Sequence, residues 1–197
     1  LTERRLLSAG AQVAYEAREI ARPDGARYRI RYSPPALPVP GAGALLIEGD
    51  ILDDPALIRW LGDPSAVGAI ACWLMGTYPE RAQNRVLARL GVHTPWDYRE
   101  TVHRSVCGVA NTLLPSGGIL HFVDRGDVPG SEAGAEHYRA YYRSQATGTA
   151  LTMEPLEYIR YREPAPDTPA IRLTAAQAGR DPETAQKALI SVVFRKR

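Results

Sequence analysis

The side chains best placed for chemistry in this sequence directly follow short apolar runs. Three segments have this position: Glu-Gly-Asp-Ile at 48–51, Trp-Leu-Met-Gly-Thr-Tyr at 73–78 and Asp-Arg-Gly at 124–126. If the apolar runs are strands of an α/β sheet, these segments lie at the carboxyl ends of the strands, where open sheets bind ligands. A short carboxylate there can reach an amine, and its neighbour can supply an apolar wall. The pattern predicts a ligand site at this edge of the sheet.

The histidines and cysteines suggest no metal site. The four histidines are spread along the chain: His93, His103, His121 and His137. No two of them have the tight spacing of metal ligands, so no metal is expected. We interpret His121, inside an apolar run, as a core or half-buried histidine. Cys72 and Cys107 also lie in apolar segments, which predicts buried thiols in a reducing, cytoplasmic compartment.

The composition is that of an ordinary globular protein. The chain has 197 residues, of which 45% are hydrophobic and 23% charged. This excludes a disordered tail, a collagen-like fibre and a disulfide miniprotein. The longest apolar run, at 69–75, is far shorter than the roughly 20 residues that span a bilayer, so a membrane is not expected as a partner.

The charge of the chain does not indicate a nucleic-acid surface. Lys187 and Lys196 are the only lysines among 24 basic residues. The arginines are spread along the whole chain, and 22 acidic residues nearly cancel the basic charge. We therefore interpret them as arginines on solvated faces rather than as a binding surface for nucleic acid.

Hydrophobic periodicity divides most of the chain into helices and strands. Helices are predicted over 2–21, 53–61, 79–90 and 131–144, and over a segment that starts at Thr94 and ends before Pro115. Strands are predicted over 28–32, 44–48, 68–75, 119–123, 156–162 and 189–194. The run at 44–48 is apolar up to its last residue, Glu48, and resembles a parallel strand buried on both faces; the runs at 68–75 and 119–123 are interpreted as the second and third buried strands. This alternation predicts an α/β protein with helices on both faces of a sheet.

The order of these motifs resembles the class I S-adenosylmethionine-dependent methyltransferases. The similarity runs from about Leu45 to Phe194. It comprises the strand ending in Glu-Gly-Asp-Ile, the strand at 69–74, a helix ending in Leu-Pro-Ser-Gly-Gly at 114–118, the strand at 119–123 and the closing strand. The resemblance implies a Rossmann-like three-layer sandwich whose sheet is mostly parallel with an antiparallel last strand. Its strand order would be three-two-one-four-five-seven-six, with 44–48 as strand three and 69–75 as strand four.

The same resemblance implies a binding site for S-adenosylmethionine as cofactor. Asp50 would accept a hydrogen bond from the adenine amino group, and Ile51 would pack on the ring. Cys72 and Trp73 would lie beside the methionine end. Two alternatives remain open: Asp50 belongs to a turn that caps the following helix, and Cys72 and Trp73 are ordinary core residues.

The substrate predicted by the resemblance is a small molecule. Family members that methylate nucleic-acid or protein amines often carry Asn/Asp-Pro-Pro-aromatic after strand four, whereas this chain has Met-Gly-Thr-Tyr at 75–78. Candidate substrate-binding residues follow the strands: Thr77, Tyr78, Asp124 and Arg125. Because the methyl group of the cofactor is already activated, the protein has mainly to align the nucleophile, the methyl group and the sulfur, and a general base is optional. No catalytic residue is therefore assigned.

One departure from the family affects the domain prediction. No Gly-x-Gly turn follows an apolar run upstream of Leu45, and no acid after a second strand is apparent. A sheet without strands one and two would leave backbone groups unpaired at its centre. We therefore expect residues 1–197 to be a single methyltransferase-like domain whose first two strands lie upstream of Leu1, with the helix over 2–21 following strand two.

Two other classes of function remain open. One is a degenerate Rossmann-like subunit that binds no cofactor and serves a partner protein. The other is an NAD(P)-dependent oxidoreductase, but the expected Tyr-x-x-x-Lys pair is missing because Tyr138 and Tyr142 are followed four residues later by Tyr142 and Ala146. A homo-oligomer is compatible with all three classes.

Overall fold

The computed structural model describes part of the chain in two compact units. The described residues are 11–15, 17–21, 29–32, 44–47, 51–52, 58, 61–62, 67–75, 85–161 and 186–197. One unit comprises Leu1–Asp63 and Tyr78–His93, and the other comprises Pro64–Thr77 and Thr94–Arg197.

The described part of the first unit contains four short strands and a one-turn helix. They are β1 (Ala11–Tyr15), β2 (Ala17–Ala21), β3 (Arg29–Tyr32), β4 (Ala44–Ile47) and α1 (Arg85–Arg89). β1 runs parallel to β4, and β2 runs antiparallel to β3. The strands predicted at 28–32 and 44–48 are confirmed as β3 and β4.

The helix predicted over residues 2–21 is wrong wherever the structure describes that segment. Residues 11–15 and 17–21 are strands, each with a partner strand. Val13, Tyr15 and Ile20 are β-branched or aromatic, types that favour strands. The apolar spacing in this short segment fits either a helix or a strand. The strands available for pairing decide in favour of a strand.

The described part of the second unit combines five strands with two long helices. Its elements are β5 (Ala69–Trp73), α2 (Pro95–Leu113), β6 (Ile119–Asp127), α3 (Glu132–Gln145), β7 (Leu151–Met153), β8 (Glu157–Tyr161) and β9 (Lys187–Lys196). The sheet runs in the order β5, β6, β9, and both β7 and β8 pair with the far side of β9. The predicted helix at 131–144 and final strand at 189–194 are confirmed as α3 and β9.

The α/β class is confirmed, but the sheet is mixed. Among the described strands, β1 with β4 and β5 with β6 are parallel, whereas the other four pairings are antiparallel. The prediction of a mostly parallel sheet is therefore not met in this part of the chain. The reason is that β9 is antiparallel to all three of its neighbouring strands. An antiparallel last strand is itself part of the prediction.

Both long helices of the described structure pack on one face of the second sheet. Phe122 of β6 contacts His103 of α2, with 4.7 Å between ring centroids, and Tyr142 of α3, with 5.7 Å. Alternate residues of β6 and β9 are buried on this face: Leu120, Phe122, Asp124, Ala188, Ile190, Val192 and Phe194. The intervening residues are half-buried on the other face, which we call the open face. A helical layer on the open face, as in the predicted three-layer sandwich, is not among the described elements.

The ends of α2 are held by side chains. At its start the Thr94 hydroxyl accepts from the Asp97 amide at 3.1 Å, while the Asp97 carboxylate accepts from the Thr94 amide at 2.9 Å. This reciprocal capping satisfies two amides that the helix leaves unpaired. At its end Lys196 Nζ donates to the carbonyl oxygens of Asn111 and Leu114, each at 2.6 Å. The ammonium also complements the partial negative charge of a helix C-terminus.

Candidate functional site

The carboxyl end of β5 lies beside the middle of β6. The two strands are parallel, with Trp73 opposite Val123, but β6 continues to Asp127 in its pairing with β9, so the segment at 124–126, predicted to follow a strand, lies within β6. The structure thereby brings together two of the segments singled out in the sequence, at 73–75 and 124–126. Thr77 and Tyr78 lie outside the described residues, as does Asp50. Ile51 lies in a turn of the other unit and is half-buried.

Two large apolar side chains are exposed where β5 ends. Trp73 is 58% and Leu74 is 44% exposed. Leu74 has a φ of +53°, which makes it the one non-glycine with a left-handed backbone among the described residues. Its amide donates to the Val123 carbonyl oxygen at 2.6 Å, which holds this conformation in place. A left-handed leucine costs about 1 kcal/mol, and such strain is concentrated at functional sites.

Replacing Leu74 with valine is expected to lower the free energy of unfolding by about 1–2 kcal/mol, because a β-branched side chain is disfavoured at positive φ. Leu74→Asn is the matched control, since asparagine tolerates the left-handed region and is also smaller than leucine. Urea denaturation of both variants measures the difference. Equal losses in both variants would contradict a strained backbone at this position.

The predicted cofactor residues Cys72 and Trp73 point to opposite faces of the sheet. Cys72 is buried, whereas Trp73 is on the open face. Burial raises the pKa of the Cys72 thiol to about 12, and the nearby charge of Asp124 adds to the rise. Burial likewise raises the pKa of Cys107 to about 12, with a smaller effect from Cys72. The prediction of buried thiols is confirmed, and both remain protonated at neutral pH.

Asp124 lies at the centre of a polar cluster in the core. The cluster consists of His103, Asp124, Tyr141 and Tyr142, and we call it the Asp124 cluster. The Tyr142 hydroxyl donates to Asp124 Oδ2 at 2.6 Å, and His103 Nε2 lies 3.3 Å from the same oxygen. His103 Nδ1 lies 3.1 Å from the Tyr141 hydroxyl. Asp124 is only 5% exposed. The cluster therefore connects α2 and α3 to β6 through polar contacts inside the core.

The protonation states within the cluster follow from burial. Burial lowers the pKa of His103; the charge of Asp124 opposes this shift and that of Arg99 adds to it. Burial also raises the pKa of Tyr141 and of Tyr142, and the Asp124 charge raises both further. Both tyrosines are thus hydroxyl donors and His103 is neutral. The tautomer with its proton on Nε2 suits these contacts, because Nδ1 then accepts from Tyr141.

The stability of the protein is expected to decrease as the pH falls below about 6.5, the ordinary pKa of histidine. The unfolded chain takes up a proton on His103 near that pH, whereas the folded protein does so only at lower pH. The unfolded state then binds more protons, so the free energy of unfolding falls with decreasing pH, by at most about 1.4 kcal/mol per unit. Urea titrations between pH 5 and 7.5 should show a shallower fall in His103→Gln. An identical slope in that variant would assign the dependence to other groups.

The open face carries a second set of side chains beside the strand ends. The ring of Trp73 meets that of His121 edge to face, with 5.6 Å between centroids. His121 Nε2 lies 3.0 Å from the Ser191 hydroxyl of β9. His121 is half-buried, as predicted. This arrangement combines an exposed aromatic surface with a polar pair, and an organic ligand with both apolar and hydrogen-bonding groups suits it.

The remaining candidates differ in their surroundings. Arg125 follows Asp124 and is half-buried on the open face. Sequence reasoning placed Asp124 beside a substrate, whereas the structure shows its carboxylate covered by α2 and α3. His103, Tyr141 and Tyr142 were not identified as its partners. The described residues contain no cluster of three or more His, Cys, Asp or Glu side chains that would hold a metal ion.

Comparisons with known proteins leave the chain without an assigned family. No protein-family model matches it. No curated protein matches it either. Among the helices that the structure describes, none has both the length and the apolar character to cross a membrane.

Proposed function

We propose that this protein is an S-adenosylmethionine-dependent methyltransferase that acts on a small molecule by direct displacement of the methyl group. The observation that carries this proposal is the strand order of the second unit. Its strands run β5, β6, β9, with β7 and β8 outside β9, and β9 is antiparallel to all its neighbours. Numbered along the chain as in the family, this order is four-five-seven-six. It supports a Rossmann-like sandwich with an antiparallel last strand.

The first unit contains a parallel strand pair that is consistent with strands two and three of the family. β1 is parallel to β4, as strand two would be to strand three. In the sequence Glu16 follows β1 directly, and Asp50 follows β4 after two residues. On this assignment β1 takes the place of strand two within the chain.

The described residues at the strand ends fit a sulfonium-bearing nucleoside. Trp73 offers an exposed aromatic ring, which attracts cations over its face. Leu74 adds apolar surface, and the His121–Ser191 pair supplies hydrogen-bonding groups beside it. S-adenosylmethionine, when bound, supplies an activated methyl group. The chain's own task is then to align the acceptor with that methyl and to exclude water.

Covalent catalysis by the chain's thiols is not part of this proposal. Cys72 and Cys107 are the only cysteines, and both are buried and protonated with a pKa near 12. A protonated thiol is a poor nucleophile, so neither suits a methylated enzyme intermediate. Direct transfer to the substrate is the simpler route, with Thr77, Tyr78 and Arg125 as the proposed substrate-side residues; Asp124 is left out because its carboxylate is buried against α2 and α3.

Ligand-dependent thermal unfolding tests this function against its alternatives. S-adenosylhomocysteine in excess is expected to raise the melting temperature, because a ligand that binds only the folded state stabilises it. NADPH at the same concentration should have no effect. Stabilisation by NADPH alone would indicate an oxidoreductase, and no response to either ligand would favour a non-catalytic subunit that serves a partner protein.

A further inference from the structure

β8 forms an outer edge of the second sheet. It pairs with β9 along one side, and no other described strand pairs along its far side. Half of the N–H and C=O groups of such a strand point away from the sheet, where they can pair with another strand. A proline or a bulge often blocks an edge of this kind, but the five residues of β8 (Glu-Tyr-Ile-Arg-Tyr) contain no proline.

Two large apolar side chains are exposed on this edge strand. Ile159, at its centre, is 69% exposed, and the neighbouring Tyr158 is 40% exposed. Ile159 lies opposite Leu189 of β9 and therefore on the open face, whereas Tyr158 lies opposite Ile190 on the helix-covered face. Each face of the strand thus carries apolar surface that extends to the edge along which no other described strand pairs.

We propose that β8 pairs with β8 of a second copy of this chain, antiparallel, about a two-fold axis that passes perpendicular to the sheet at Ile159. This symmetry places each Ile159 opposite the partner's Ile159. It places Tyr158 opposite the partner's Arg160, and Glu157 opposite the partner's Tyr161. The two five-stranded sheets would join into one continuous sheet across the dimer.

The charges and side chains of β8 favour this register over its neighbours. In the proposed register all five residues of β8 pair with the other copy. Arg160 then lies opposite the ring of the partner's Tyr158, and its positive charge is attracted to the ring face. A shift by two residues in one direction sets Arg160 opposite the partner's Arg160, which is repulsive. A shift in the other direction brings Pro155, which has no amide hydrogen, opposite the partner's Tyr161.

The dimer is expected to be weak and dependent on concentration. An interface built on one short strand is smaller than the roughly 800 Å² per partner of a standard protein–protein interface. We therefore expect dissociation in the micromolar range or above. Sedimentation velocity from micromolar to near-millimolar concentrations should show a shift from monomer to dimer.

Cysteine cross-linking tests the proposed register. In Ile159→Cys, the two β-carbons would lie about 4.5–5.5 Å apart across the axis, close enough for a disulfide after small adjustments. Arg160→Cys is the matched control, because this exposed position faces Tyr158 of the other copy rather than itself. Mild oxidation should give a disulfide-linked dimer with Ile159→Cys and little with Arg160→Cys. Equal cross-linking of both variants, or none with either, would refute this pairing.

A charge substitution tests the interface without a covalent link. Ile159→Asp sets two carboxylates against each other at the axis and should abolish the dimer at every concentration examined. Leu90→Asp is the control, since Leu90 is another exposed apolar residue, 44% exposed, in the other unit. A dimer that survives Ile159→Asp, or a wild-type protein that stays monomeric throughout, would overturn the proposal.

Discussion

Replacing Asp124 with alanine is expected to lower the free energy of unfolding by about 3–4 kcal/mol. Asp124 is almost fully buried, and its carboxylate accepts from Tyr142 at 2.6 Å and lies 3.3 Å from His103. The substitution leaves the Tyr142 hydroxyl buried without its acceptor and removes the carboxylate that faces His103 Nε2. The unpaired hydroxyl costs about 1–3 kcal/mol, and the lost electrostatic contact with His103 adds to this cost. Chemical denaturation measures the loss.

The control for this prediction is Asp127→Ala on the same strand. Asp127 also forms a polar contact, with Lys187 Nζ at 2.7 Å, but its side chain is more accessible to solvent. A half-buried pair of this kind is expected to contribute less than the more deeply buried contacts of Asp124. A second comparison is Tyr142→Phe, combined with Asp124→Ala in a double-mutant cycle, where the effects should not be additive. Additive losses, or similar losses for Asp124→Ala and Asp127→Ala, would argue against a coupled buried cluster.

Replacing Trp73 with alanine is expected to weaken the binding of S-adenosylmethionine by about 10- to 30-fold, a result that depends on the proposed function. S-adenosylmethionine carries a positive sulfonium, and a desolvated cation–π contact with tryptophan contributes up to about 2 kcal/mol. S-adenosylhomocysteine has a neutral thioether, so its affinity should fall less. Because Trp73 is more than half exposed, the variant should remain folded.

Two further variants test whether the loss of affinity in Trp73→Ala comes from a contact between the ring of Trp73 and the sulfonium. Trp73→Phe should recover part of the lost affinity, because a smaller aromatic face attracts a cation less strongly. Trp96→Ala removes an exposed tryptophan that packs on Tyr141 of α3 and should leave both affinities unchanged. Isothermal titration with the two ligands gives each value. Equal losses for the charged and the neutral ligand would exclude a sulfonium contact at Trp73.

Elements with strong local signals were predictable from the sequence. Thr94 and Asp97 form a capping box where the helix predicted from Thr94 begins. The apolar runs at 119–123 and 189–194 are strands because few other conformations bury so many β-branched and aromatic side chains. Within the helix predicted over 2–21, residues 11–15 and 17–21 are strands instead, because their apolar residues suit either period and pairing with distant strands decides the outcome.

Features that depend on distant contacts were not predictable in the same way. The partners of Asp124 come from α2 and α3, and no local pattern links His103 or Tyr142 to that carboxylate. The left-handed backbone of Leu74 has no sequence signal, since leucine rarely adopts it. The two faces of β5 explain why Cys72 is buried while Trp73 is exposed. Because side chains alternate along a strand, the sequence shows that Cys72 and Trp73 point to opposite faces of the sheet. It does not show which of the two faces the helices cover.

The most direct test of the proposed methyltransferase is calorimetric titration of S-adenosylhomocysteine into the wild-type protein and two variants, Asp50→Ala and Glu48→Ala. Both acids follow β4 in the sequence, but only Asp50 is assigned to the adenine amino group. The wild type should bind the ligand, Asp50→Ala should bind it at least about tenfold more weakly, and Glu48→Ala should match the wild type. An affinity unchanged by Asp50→Ala, or no binding by the wild type, would contradict the proposed site.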